Sequence, residues 1–134
     1  INLMLEKIER WVSRLPKSEL EMPILELDGV LYTPLDILEE VRAGTELGER
    51  LQERWEELRG GIRTLHNDET MYELARVRLL KRLQERPVRI MTLTAGMPTE
   101  ITAEQLMRDI ETGGDLGESL VKAEVKVIQR LIRA

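Results

Sequence analysis

The chain has 134 residues, 42% apolar and 34% charged, with 25 acids against 20 bases and a net charge of -5. That is the size and mixture of one ordinary folded domain rather than a disordered tail. It has no cysteine and a single histidine, His66, which excludes disulfides, thiolate metal sites, a cysteine nucleophile and a histidine-pair metal site within one chain. No apolar run approaches the ~18 residues that mark a membrane-spanning helix.

An amphipathic helix opens the chain, with Leu5, Ile8 and Trp11 on its apolar face, and ends near Pro16. The sequence starts at Ile1, already inside that pattern and without an initiator Met, so the first residues are expected to be trimmed. Ile24–Leu27 and Val30–Thr33 flank Asp28-Gly29, a two-residue hairpin signal. Thr33 is placed to cap a helix that has Pro34 at its first position and Asp36 three residues after the cap. Gly44 ends that helix and another is expected over 46–59, with Leu47, Leu51, Trp55 and Leu58 as its stripe.

Gly60-Gly61 leads to His66-Asn67-Asp68-Glu69, where Asn67 or Asp68 suits an N-cap and His66 reads as a solvated linker residue. A helix over 69–86 is apolar on two sides, through Met71, Ala75, Leu79 and Leu83 and through Leu74, Val77 and Leu80. Val88–Thr94 and Glu100–Thr102 are then expected to flank a longer turn, Ala95-Gly96-Met97-Pro98. Thr102 and Gln105 repeat the cap, Gly113 repeats the stop, and a last helix is expected over 115–133.

The second half repeats the first. Sliding the chain by 69 residues lays Thr33–Leu51 on Thr102–Leu120, with six of nineteen pairs identical, among them Gly44/Gly113, Leu47/Leu116 and Gly48/Gly117. This predicts a mainly helical α+β protein made by tandem duplication of a helix–β-hairpin–helix–helix unit. The copies, 1–66 and 67–134, are expected to pack as one pseudo-twofold body, since each alone would be marginal.

The copies differ on their last helices. The second carries an extra apolar stripe, Val121, Val125, Ile128 and Ile132, where the first has Gln52, Glu56, Arg59 and Arg63. Such a stripe either packs inside the chain against helix 69–86 or forms a seam for another chain, which suits its 4-3-4 spacing. Glu124 lies within that face, where the first copy has Trp55, so its carboxylate needs a basic partner or solvent. Charge differs as well: residues 1–69 hold 16 acids and 9 bases, net -7, and residues 70–134 hold 9 acids and 11 bases, net +2. Arg76, Arg78, Lys81, Arg82, Arg86 and Arg89 concentrate the positive charge. Such a patch could meet nucleic-acid phosphates, lie in water, or meet acids of this or another chain.

Catalytic patterns are thin. Ser13, Ser18 and Ser119 lack a nucleophile-elbow context, and there is no Glu-x-x-His for a di-metal bundle. The turns at 44–48 and 113–117 open helices and could present amides to an anion, but they lack a P-loop lysine and carry Glu46 and Asp115. Their helix–turn–helix layout resembles a DNA-binding motif in outline only, because the helix over 46–59 is rich in acids. The leading expectation is therefore a non-enzymatic protein–protein interaction or assembly subunit without cofactor. It would meet another chain or a second copy of itself through Val121, Glu124, Val125, Ile128 and Ile132, helped by the opposed charge of the two copies. A DNA-binding regulator using Arg78, Lys81, Arg82, Arg86 and Arg89 is the alternative, and a small carboxylate-based enzyme comes third. Nucleic acid is disfavoured as a partner, no membrane contact is expected, and a chain without cysteine suggests the cytoplasm.

Overall fold

The computed structural model describes residues 3–61 and 68–134; His66, Asn67 and Arg63 lie outside them. The order of elements is α1 (Leu3–Arg14), a single 3-10 turn (Lys17–Glu19), β1 (Leu25–Leu27), β2 (Val30–Tyr32), α2 (Pro34–Ala43) and α3 (Glu46–Arg59). It continues through α4 (Asp68–Glu85), β3 (Ile90–Thr94), β4 (Met97–Ile101), α5 (Ala103–Thr112) and α6 (Asp115–Ile132). The protein is thus α+β and mainly helical, and helix, hairpin, helix, helix occurs twice along the chain.

Local chemistry explains most boundaries. Thr33 accepts a hydrogen bond from the Asp36 amide, while the Asp36 carboxylate accepts one from the Thr33 amide. Thr102 and Gln105 make the same reciprocal pair at the start of α5. Each such cap satisfies two of the amides that a helix start leaves without partners. Both α2 and α5 stop on a left-handed glycine, Gly44 (φ 67°) and Gly113 (φ 77°).

The hairpins share one turn type. Asp28-Gly29 and Ala95-Gly96 both have positive φ (51° and 79°; 52° and 78°), the pattern of a type I′ turn. The second turn is therefore two residues long, and Met97 and Pro98 belong to β4, not to a four-residue loop. Pro98 lies opposite Leu93, one pair beyond the pair that closes the turn. Its missing N–H faces away from the ladder there, which lets proline sit in a strand. Hairpin β3–β4 has five residue pairs against three in β1–β2.

Two tight helix corners carry the rest. A β-carbon on Gly48 would overlap the backbone carbonyl of Glu40, and one on Gly117 that of Asp109, so no other residue lets α3 cross α2, or α6 cross α5, so closely. One continuous apolar core runs through both halves, from Ile8, Trp11, Leu25, Ile37 and Leu51 to Leu74, Leu106, Ile110, Val121 and Ile128. Each such side chain taken from water contributes about 1.5–3 kcal/mol. The halves are also stitched by polar bonds: Trp11 Nε1 donates to the Leu131 carbonyl (2.7 Å), and Arg59 donates to those of Ile132 (2.8 Å) and Ala134 (3.0 Å).

Candidate functional site

The α6 stripe lies against α4. Val121, Ile128 and Ile132 are buried in the chain together with Glu124, and Val125 is half-buried. Leu116, Leu120, Val127 and Leu131, the other apolar stripe of α6, are each only half-buried. The extra stripe is thus the deeper of the two, and as it stands it faces this chain's own core rather than open surface.

Glu124 finds its basic partner there. Arg78 Nε donates to Glu124 Oε2 (2.8 Å), Arg82 Nη1 donates to the same oxygen (3.0 Å), and Arg82 Nη2 donates to Oε1. Arg78 has no exposed surface and donates also from Nη2 to Glu19 Oε2 (2.6 Å) and from Nη1 to the Pro23 carbonyl (2.7 Å). Burial raises the Glu124 pKa, but the hydrogen bonds from Arg82 and Arg78, and then their charges, hold it below the ordinary carboxylate range. The same bond to Glu124 raises Arg82. A carboxylate kept ionised with both oxygens occupied suits a clamp, not proton transfer.

This cluster takes the basic patch apart. Arg78 is at its centre, Arg82 is half-buried over Glu124, and Lys81 donates to the Glu21 carbonyl (2.7 Å). Arg86 and Arg89 stay exposed, and Arg89 pairs with Glu100 across the hairpin base (Nε–Oε1, 3.3 Å). The patch of α4 therefore does not present one cationic surface. Lys122, Lys126, Arg130 and Arg133, which sequence reasoning passed over, share an exposed face of α6 beside Glu118, which pairs with Lys122 (3.3 Å).

The helix-opening turns are filled by their own side chains. The Gly48 amide donates to Thr45 Oγ1 (2.9 Å) and the Gly117 amide to Asp109 Oδ2 (2.6 Å), which leaves neither for an anion. Among the described residues no group of three or more His, Asp or Glu side chains is placed to hold a metal ion, and no helix is long and apolar enough to cross a membrane.

The open apolar surface lies on β3–β4 instead. Leu93 is 75% exposed, Met97 67% and Met91 63%, with Val88 beside them just before the strand. At the hairpin base an open cleft of about 700 Å³ runs between α4, α5, Leu120 of α6 and the 3-10 turn. Met22, Leu79, Leu83, Val88, Ile90 and Leu106 give it apolar walls, with Lys17, Lys81 and Arg86 on its rim. Two signals in the sequence point to these features. Residues 90–99 hold no charge in a chain that is one-third charged, and Arg78 and Arg82 interrupt the apolar faces of α4 at i, i+4.

Searches against protein-family models, curated sequences and solved structures find no match to this chain.

Proposed function

We propose that this protein is a non-enzymatic interaction or assembly subunit, built by tandem duplication of one unit packed about a pseudo-twofold axis, and working in the cytoplasm. The single observation that carries this reading is the bare apolar hairpin β3–β4, whose Met91, Leu93 and Met97 are each more than 60% exposed. Met91 and Leu93 share one face of the hairpin and Met97 stands on the other, and exposed apolar side chains gathered on a folded domain mark contact surfaces for other macromolecules. The adjoining cleft extends that surface, and the net charges of -7 and +2 on the two halves orient an approaching partner. The interface moves from the α6 stripe to the hairpin because Val121, Glu124, Ile128 and Ile132 are already spent inside the chain.

A photo-reactive amino acid in place of Met91, activated in living cells, tests the reading against the same group in place of Glu46 on the acidic face of α3. The expected result is a discrete cross-linked adduct from position 91 and none from 46. Equal labelling at both positions, or no adduct from 91, sinks it. DNA binding would have to use the Lys122–Arg133 face of α6; duplex affinity that falls steeply with salt and disappears in Lys122→Ala/Lys126→Ala/Arg130→Ala would replace the assembly reading.

A further inference from the structure

Hairpin β3–β4 has two long edges, and they are not equivalent. In a two-residue hairpin the pair that closes the turn is hydrogen-bonded and bonding alternates from there. Thr94↔Met97, Thr92↔Thr99 and Ile90↔Ile101 therefore exchange ladder bonds, and Leu93↔Pro98 and Met91↔Glu100 turn their backbone groups outwards. On β4 the first of these outward positions is Pro98, which has no N–H to give. On β3 both Met91 and Leu93 offer an N–H and a carbonyl, and no further backbone bond reaches either among the described residues. Proline on one edge is a standard guard against pairing, and the other edge carries none.

We propose that the β3 edge pairs antiparallel with β3 of a second copy of this chain, joining two hairpins into a four-stranded sheet; this rests on the reading of the hairpin as the interaction surface. A second copy fits for reasons of symmetry and charge. With the twofold axis at Thr92, Met91 of one copy lies opposite Leu93 of the other. The N–H and carbonyl groups of both residues are then all matched, giving four hydrogen bonds. The same register sets the exposed Met91 of each copy beside the exposed Leu93 of the other on one face, so these apolar groups cover each other. The chain as a whole carries a net charge of -5 and repels its own copies, yet residues 90–99 hold no charge at all. At the base of the sheet Arg89 is neutralised by Glu100 of its own hairpin (3.3 Å). Like can approach like here without Coulomb repulsion at the contact.

Hairpin β1–β2 shows the opposite arrangement. Its tip is held by the ion pair of Arg50 with Asp28, and Leu25 and Leu27 are buried. The two extra residue pairs of β3–β4 lift its tip clear of such cover.

The test uses the purified full chain. Sedimentation from micromolar to millimolar concentration is expected to show a monomer–dimer equilibrium for the wild type. Amide exchange at Met91 and Leu93 is expected to slow with concentration while Glu100 on the other edge does not change. Leu93→Pro copies onto β3 the block that Pro98 provides on β4 and leaves the ladder within the hairpin intact. It removes two of the four bonds and is expected to weaken dimerisation by about 30-fold or more. Should that variant fail to fold, Leu93→Lys keeps the N–H and puts a charge at the symmetric contact, with the same expected direction. A wild type that stays monomeric at millimolar concentration, or a dimer that neither variant weakens, overturns the pairing. Cross-linking from position 91 to a different protein, with a monomeric wild type, overturns self-pairing alone and leaves the interaction reading standing. No adduct from position 91 at all removes that reading itself.

Discussion

Trp55 on α3 and Glu124 on α6 stand 69 residues apart, each on the last helix of its half of the chain, and the packing around them differs. Trp55 packs its ring 5.5 Å from that of Trp11, with the Arg59 guanidinium 4.7 Å from its face. Glu124 has two arginines of α4 instead, and through Arg78 it draws in Glu19 and the Pro23 carbonyl of the first half. The aromatic pair closes mainly with apolar area, its polar bonds going from Trp11 and Arg59 to backbone carbonyls. An ionic cluster closes only when every partner arrives together, so the second half is the more exacting of the two. Its cluster also fixes the 3-10 turn and β1 against α4.

The largest expected effect follows from that difference. Glu124→Ala removes one of the two carboxylates paired with the fully buried Arg78 and is expected to cost about 3–5 kcal/mol in denaturant unfolding. Arg78→Met with Glu124→Leu removes the most buried pair, leaves Glu19 and Arg82 to find water, and is expected to recover part of the loss, because well-packed apolar replacements of buried pairs are often neutral. A double variant as unstable as Glu124→Ala would show that the cluster does more than compensate its own burial. The pH dependence has a definite sign. The folded pKa of Glu124 lies below its unfolded value of about 4.3, so its contribution is complete above that pH and is lost as the pH falls through the lower, folded value. Glu124→Gln should therefore be less stable than wild type at neutral pH and lose less of its stability on acidification.

The helix corners differ more subtly. In the first half Thr45 caps α3, accepting from the Gly48 amide (2.9 Å) and donating to Glu40 Oε2 (2.6 Å). In the second half Asp109 reaches over to accept from the Gly117 amide, and Gly114 stands where Thr45 was, because a β-carbon there would collide with the Asp109 carboxylate. Glu with Thr, and Asp with Gly, are two solutions of one problem. Gly117→Ala, which meets backbone rather than a movable side chain, is expected to destabilise by about 1–3 kcal/mol, with Gly48→Ala alike. Gly60→Ala, whose β-carbon meets nothing closer than 3.5 Å, serves as the neutral control. Gly114→Thr alone should cost about 1–2 kcal/mol, and Asp109→Glu with Gly114→Thr should recover it, a coupling of about 1 kcal/mol that would make the second corner a copy of the first. Additive losses would deny that the pairs are interchangeable.

Local chemistry made much of this legible from the residues. The caps at Thr33 and Thr102, the stops at Gly44 and Gly113, and the Asp28-Gly29 turn each depend on neighbours within a few positions. The need of Glu124 for a base was legible too, but not its identity. Arg78 and Arg82 read as members of a basic run open to phosphates, water or acids of this or another chain, since only tertiary packing turns one face of α4 inwards. Pro98 misled in the opposite way: proline suggests a loop, and only the register of β3 against β4 shows its bare nitrogen facing off the ladder. The 4-3-4 spacing of Val121, Val125, Ile128 and Ile132 specifies a helix that must be covered. It says nothing about whether the cover comes from the same chain, and here α4 supplies it.

The smallest expected effect concerns the hairpins, where the turns differ by one residue. The first turn has Asp28 at φ 51° and the second has Ala95 at φ 52°, a conformation that costs a residue with a β-carbon unless a short polar side chain helps. Asp28 has that help and is also held by Arg50, whereas Ala95 is exposed and has neither. The bare hairpin is thus strained at its tip as well as uncovered on its surface. Ala95→Asn supplies the residue that type I′ turns prefer and is expected to stabilise the protein by no more than about 1 kcal/mol. Slower amide exchange at Thr92 and Thr94, with other elements unchanged, would confine the gain to the hairpin. A uniform slowing across α4 and α6 would instead mean that β3–β4 unfolds only together with the rest of the molecule, and that its exposure does not make it an independent unit.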